Sequence, residues 1–65
     1  MFIQIHPEDV HPGQRVAVSF GIVTCRGIGV GVPDRDHCTL YWEEEQPAVT
    51  YHRNNTVEVE LFAQT

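Results

Sequence analysis

Six side chains of this 65-residue chain have the right atoms for metal or thiol chemistry: His6, His11, Cys25, His37, Cys38 and His52. Structural zinc wants four ligands in a closed tetrahedron, normally announced by Cys-x-x-Cys or His-x₃-His spacing. Neither spacing occurs, and adjacent His37 and Cys38 point to opposite faces of any strand that carries them. No metal site and no cofactor are expected. Nucleophilic catalysis needs a thiol or hydroxyl beside a base and an oxyanion pocket. Cys38 with His37 or His52 supplies the residue types only, and an inward Cys38 would hold its proton and react slowly. The two cysteines read as small apolar fillers, with no catalytic residue and no enzyme. Gly27-x-Gly29-x-Gly31 has the look of a phosphate loop, but no lysine or helix start follows it. Strand bending accounts for it better.

The carboxylates carry more information. Nine acids stand against four arginines, giving a net charge of −5, with no lysine in the chain. Glu8 and Asp9 balance Arg15 and Arg26 in residues 1–33. Seven acids against Arg35 and Arg53 in residues 34–65 leave the whole −5 in the second half. Phosphate backbones repel such a surface, so nucleic acid is disfavoured apart from a small basic spot at Arg15 and Arg26. A basic protein surface is attracted. Within the acidic half, Tyr41 alternates outward with Glu43 beside Glu44 and Glu45, and Glu58 and Glu60 face out on a later strand. An exposed tyrosine among carboxylates is the composition of a contact patch for a basic, partly apolar partner. A solvated charged turn has the same composition. The expected partner-binding residues are Tyr41, Glu43, Glu44, Glu45, Glu58 and Glu60. The other aromatics, Phe20, Trp42 and Tyr51 above all, read either as core or as a cage for a cationic group.

The elements that position these residues are strands. Helical periodicity is nearly absent, whereas alternation with period two recurs: Ile3 and Ile5; Val16, Val18 and Phe20; Cys38, Leu40 and Trp42; Val49 and Tyr51; Val57, Val59 and Leu61. The run from Ile22 to Val32 is apolar and glycine-rich, which predicts a long strand with a bend or bulge. Turn chemistry separates the runs at His6–Asp9, His11–Gly13, Pro33–Asp36, Glu44–Pro47 and Arg53–Asn55. Strands are expected near 14–20, 22–32, 38–43, 48–52 and 57–62, with a single helical turn near Pro7 to Val10. Short strands without a crossover helix mean an antiparallel, all-β fold.

Five or six such strands suit a small bent barrel. Gly13-Gln14-Arg15-Val16-Ala17-Val18, followed by Arg26-Gly27-Ile28-Gly29-Val30-Gly31-Val32, resembles the opening of SH3-like barrels of the KOW and Tudor kind. Those barrels open with a Gly-Asp-x-Val-x-Val strand and continue with a glycine-marked one. The resemblance spans residues 13–61 and implies one SH3-like domain over residues 1–65. Gln14 stands where that family usually has an acid, and most basic residues of a KOW motif are missing.

Size and composition bound the rest. A chain this short buries only about 60% of its unfolded surface, so a partner or self-association would add welcome stability, and a homo-oligomer is one form of it. Forty-two per cent hydrophobic and 20% charged residues describe a globular domain rather than a disordered one. Met1 to Ile5 lacks the basic start and long apolar run of a signal peptide. Val16 to Val32 is broken by Arg26 and four glycines, so no membrane span is expected. A cytoplasmic setting follows as the expectation. The expected function is a small acidic protein-interaction module, an adaptor or inhibitor of a cellular or host protein of the kind mobile elements encode. The alternative is a KOW-like, nucleic-acid-associated domain beside the transcription or translation machinery. Because the ligand spacing is wrong for metal, adding a chelator is expected to leave the thermal melting temperature unchanged; a sharp drop would reveal a zinc site.

Overall fold

The computed structural model describes residues 1–61. Its elements are β1 (Phe2–Ile5), a single 3₁₀ turn (Pro7–Asp9), β2 (Arg15–Val18), β3 (Gly21–Val30), β4 (His37–Trp42), β5 (Val49–His52) and β6 (Val57–Glu60). Every ladder is antiparallel, and the strands form one sheet in the order β1-β6-β2-β3-β4-β5. The fold is all-β, as the alternation implies. The sheet is open: β1 and β5 are its two ends, so hydrogen bonding does not close it into a barrel.

The ten-residue β3 joins the two halves of this sheet. Its first part pairs with β2, from Val18↔Gly21 to Arg15↔Thr24. Its second part pairs with β4, and there the register jumps from Cys25↔Trp42 to Gly27↔Tyr41. Arg26 is therefore an extra residue, a β-bulge, which bends a strand and increases its twist. The bulge also switches which positions face inward. Val23 and Cys25 are buried before it, whereas Ile28, opposite Leu40, packs against the core after it. Gly27 and Gly29 fall on the outer face. The bend expected from these glycines is present, and Arg26 is its centre.

The core is small and aliphatic. Val16, Val23, Val57 and Val59 fill it from β2, β3 and β6, and Cys25, Cys38, Leu40 and Trp42 from β3 and β4. Val10, just past the 3₁₀ turn, is also buried, as is Pro7. The Trp42 indole N–H donates to the Pro47 carbonyl at 3.0 Å, so the ring has its polar partner. Tyr51 is half-buried against this cluster. Phe20, expected inside by alternation with Val16 and Val18, is 44% exposed. The reason is local: Val18 pairs directly with Gly21, so Ser19 and Phe20 form the turn of the hairpin and leave the strand's alternation. Gly21 takes φ +133 there, a conformation that L side chains rarely adopt.

A second, smaller packing layer covers the outer face of β3 and β4. Gly31, at φ +75, turns the chain at the end of β3 while its N–H donates to the His37 carbonyl at 2.9 Å. Val32 then lies over Gly29, where an added Cβ would meet Val32 carbons at 3.3 Å and the Tyr41 ring at 3.5 Å. The Thr39 hydroxyl donates to the Val32 carbonyl at 2.9 Å. That hydrogen being used, the Thr50 hydroxyl donates to Thr39, also at 2.9 Å. Thr39 is thereby buried although it faces away from Leu40. Leu40→Ala is expected to cost about 2–5 kcal/mol in denaturant unfolding, as large-to-small core changes do. Val30→Ala, at a 62% exposed position, should stay within about 0.5 kcal/mol of the parent.

Candidate functional site

The six residues expected to form one acidic patch are distributed over three places. Tyr41 lies on the outer face of β4, opposite to Leu40 and Trp42 as alternation requires. It is half-buried rather than free, because Gly29 leaves room for its ring beside Val32. Glu43, Glu44 and Glu45 follow at the end of β4, in the turn held by the Trp42–Pro47 bond. Glu58 and Glu60 sit on β6, separated from β4 by β2 and β3.

Glu44 has internal partners. Its carboxylate accepts the Thr24 backbone N–H at 2.8 Å and the Thr24 hydroxyl at 3.0 Å. The Glu43 N–H donates to the Thr24 carbonyl at 2.9 Å, continuing the ladder one step past Trp42. Glu44 thus satisfies the next free donor along β3 where β4 has turned away. Glu60 is also engaged: Arg15 donates to it at 3.0 Å across the β2–β6 ladder. Arg15 stands directly opposite Thr24, so the row across the sheet runs Glu60, Arg15, Thr24, Glu44. One arginine between two carboxylates relieves their repulsion without any partner. The exposed Arg15–Glu60 pair contributes only about 0–1 kcal/mol. Glu43, Glu45 and Glu58 make no ion pair or side-chain hydrogen bond among the described residues, and all three are exposed.

Cys25 and Cys38 are both free and buried. Burial pushes the Cys25 thiol up despite a bond to the Gly27 carbonyl, and Cys38 is raised first by burial and then by the Glu8 charge. A thiol held neutral is a poor nucleophile. His37 lies 2.7 Å from the Asp34 carboxylate, which is held low chiefly by that bond and next by the Asp36 N–H. The His52 ring meets His37 edge-on at 5.4 Å and accepts the Asn54 N–H at Nδ1. Among the described residues no group of three or more histidines, cysteines or carboxylates is placed to hold a metal.

Alternation gave no warning of a cleft of about 420 Å³ lined by Ala17, Val18 and Ser19 at the end of β2, Val49 and Tyr51 on β5, and Glu58 on β6. In strand order β5 lies three positions from β2, so these residues meet only because the sheet curls about the β3 bulge. The cleft lies between the β5 edge and the β2–β6 part of the sheet. Val18, Val49 and Tyr51 form its apolar side and pack on the core, and partial burial pushes the Tyr51 phenol up. Glu58, paired with Ala17 in the ladder, is the one charged side chain of its lining among the described residues.

Fold and surface together define a small, open, antiparallel β domain with unpaired carboxylates and a partly apolar cleft. Compared with known proteins, the chain matches no family model, no curated protein and no solved structure. No helix among the described residues is long and apolar enough to cross a membrane.

The Glu44 contact carries a pH signature. Its carboxyl is held below the ordinary 4.5, first by the Thr24 N–H, with its own N–H, the Thr24 hydroxyl and Arg15 adding to the effect and desolvation opposing it. The folded pKa is thus below the unfolded one. The stabilisation is fully present above 4.5 and is lost as pH falls through the folded value. Thermal unfolding followed from about pH 6 to about pH 3 should show wild type melting above Glu44→Gln at the upper end, the gap closing below 4.5. Asp34 titrates alike in both proteins and cancels in the comparison.

Proposed function

We propose that this protein is a small acidic interaction module that binds a basic surface of another protein in the cytoplasm and performs no catalysis itself. Its fold is read as an opened relative of the SH3-like barrels, with β2 to β6 as the barrel strands and β1 added beyond β6. The observation that carries the reading is the set of carboxylates left over after the internal contacts are made. Glu43, Glu45 and Glu58, with Glu8, Asp9 and Asp36 elsewhere, remain exposed and without an ion pair among the described residues, on a chain of net charge −5. Internal pairing also argues against the nucleic-acid alternative. Arg15, one of the two cations of the basic spot, is bound to Glu60, which leaves Arg26 at the bulge with little company for a phosphate backbone. Glu43 and Glu45 supply the field, and the exposed part of Tyr41 on the same strand supplies contact area. Glu44 and Glu60 act mainly within the fold. An adaptor and an inhibitor would use such a surface alike.

The test is kinetic. With the partner identified by mass spectrometry from native lysate, purified and immobilised, the double variant Glu43→Gln/Glu45→Gln should associate about tenfold more slowly at low salt. The difference should vanish near 1 M salt, where the Debye length falls to about 3 Å. Glu44 is left in place so that the turn keeps its Thr24 contact. An unchanged association rate, or salt-dependent retention of the protein on DNA or RNA, would overturn the reading.

A further inference from the structure

The cleft between β2 and β5 adds a specific pocket to this general surface. Its volume, about 420 Å³, falls within the range of ligand pockets, about 300–1,000 Å³, and is ample for one long side chain. One side is apolar, made by Val18, Val49 and the half-buried Tyr51 ring. Glu58, exposed and without an ion pair among the described residues, also lines it. Among the described residues no basic side chain lines the cleft, so none of them compensates that carboxylate. The Tyr51 and Ser19 hydroxyls, on two lining residues, make no hydrogen bond among the described residues and leave further acceptors. An occupant complementary to these walls has an aliphatic stem, a flat face for the tyrosine ring and a cationic head for the carboxylate. Guanidinium meets the last two conditions together, since it is planar, weakly hydrated and able to take a carboxylate with two parallel donors; ammonium meets only the charge.

We propose that this cleft receives one arginine side chain of the protein partner, with its stem along Val18, Val49 and Tyr51 and its guanidinium on the Glu58 carboxylate. The proposal rests on the interaction-module reading and gives it an anchor. The acidic turn at Glu43–Glu45 attracts a basic surface at long range, and the cleft holds one residue of it by shape. The arginine belongs to a folded or extended protein segment. Free arginine lacks the flanking main chain that would run past the open edge of β5.

The experiment is an amide-shift titration of the full chain with N-acetyl-arginine N-methylamide, alongside its neutral isostere N-acetyl-citrulline N-methylamide. The arginine derivative should shift the amides of Ala17, Val18, Ser19, Val49, Tyr51 and Glu58 saturably, with millimolar affinity. Glu58→Gln should weaken binding about fivefold, the scale of one exposed ion pair. The citrulline derivative should give no saturable shift, and Glu43→Gln/Glu45→Gln should bind arginine as wild type does. Shifts centred on residues 43–45, equal response to citrulline, no effect of Glu58→Gln, or no saturable shift at all would each overturn the cleft assignment. The two readings fail separately. A silent arginine titration alongside slowed association of the Glu43/Glu45 variant removes the cleft alone. Saturable arginine binding alongside unchanged association removes the acidic turn alone.

Discussion

One extra residue in one strand governs this fold. Arg26 has no partner on β4, and its insertion lets β3 serve two half-sheets that face a common core. Without the bulge, alternation from Val23 and Cys25 would carry Gly27 and Gly29 inward and expel Ile28. The core would lose aliphatic volume that a chain of this size can ill spare. With it, Val23 and Cys25 on one side of the bend and Ile28 on the other address the same cluster. Arg26 tolerates the role because the bulge places it on the surface. Gly27 and Gly29 follow because the outer face must stay low.

That low outer face has its own consequence. Gly29 leaves a hollow that Val32 and Tyr41 fill, and the Thr39 and Thr50 hydroxyls satisfy the returning chain at Val32. Polar residues on the solvent side of a sheet therefore become a small packed layer. Tyr41 is fixed by it. Its ring has a defined position and loses little further freedom on binding, which makes it a more economical contact surface than a fully mobile side chain.

Charge is organised by the same bend. Bringing β4's end alongside Thr24 puts Glu44 on the free N–H of β3, and the β2–β6 ladder puts Arg15 against Glu60. Some of the acidic residues thus complete the sheet's hydrogen bonding and others remain outward. Within the acidic second half, Glu43, Glu45 and Glu58 stay exposed and unpaired among the described residues, and Glu58 is set apart from the other two by its position in the cleft.

Local pattern determined a good deal by itself. Period-two alternation located β2, β4, β5 and β6 to within a few residues, because a strand half-buried in a sheet repeats its environment every second residue. The apolar glycine-rich run located β3, while β1, with only Ile3 and Ile5 alternating, lies outside the five expected strands. Turn residues marked every connection except Ser19–Phe20, the glycine run in residues 27–31 marked the bend, and Leu40, Trp42 and the valines of β6 were recognisable as core. Phe20 shows where the pattern stops working: alternation continues on paper past Val18, but the hairpin turn starts there and carries the ring outside. Only tertiary structure decided the rest. Whether a glutamate is free depends on a donor twenty residues away, as for Glu44 and Thr24, or forty-five away, as for Glu60 and Arg15. The cleft depends on how far the sheet curls, which brings Val49 and Tyr51 of β5 within reach of Val18 and Glu58. Alternation says which face a side chain takes; it carries no information about which distant strand that face will meet.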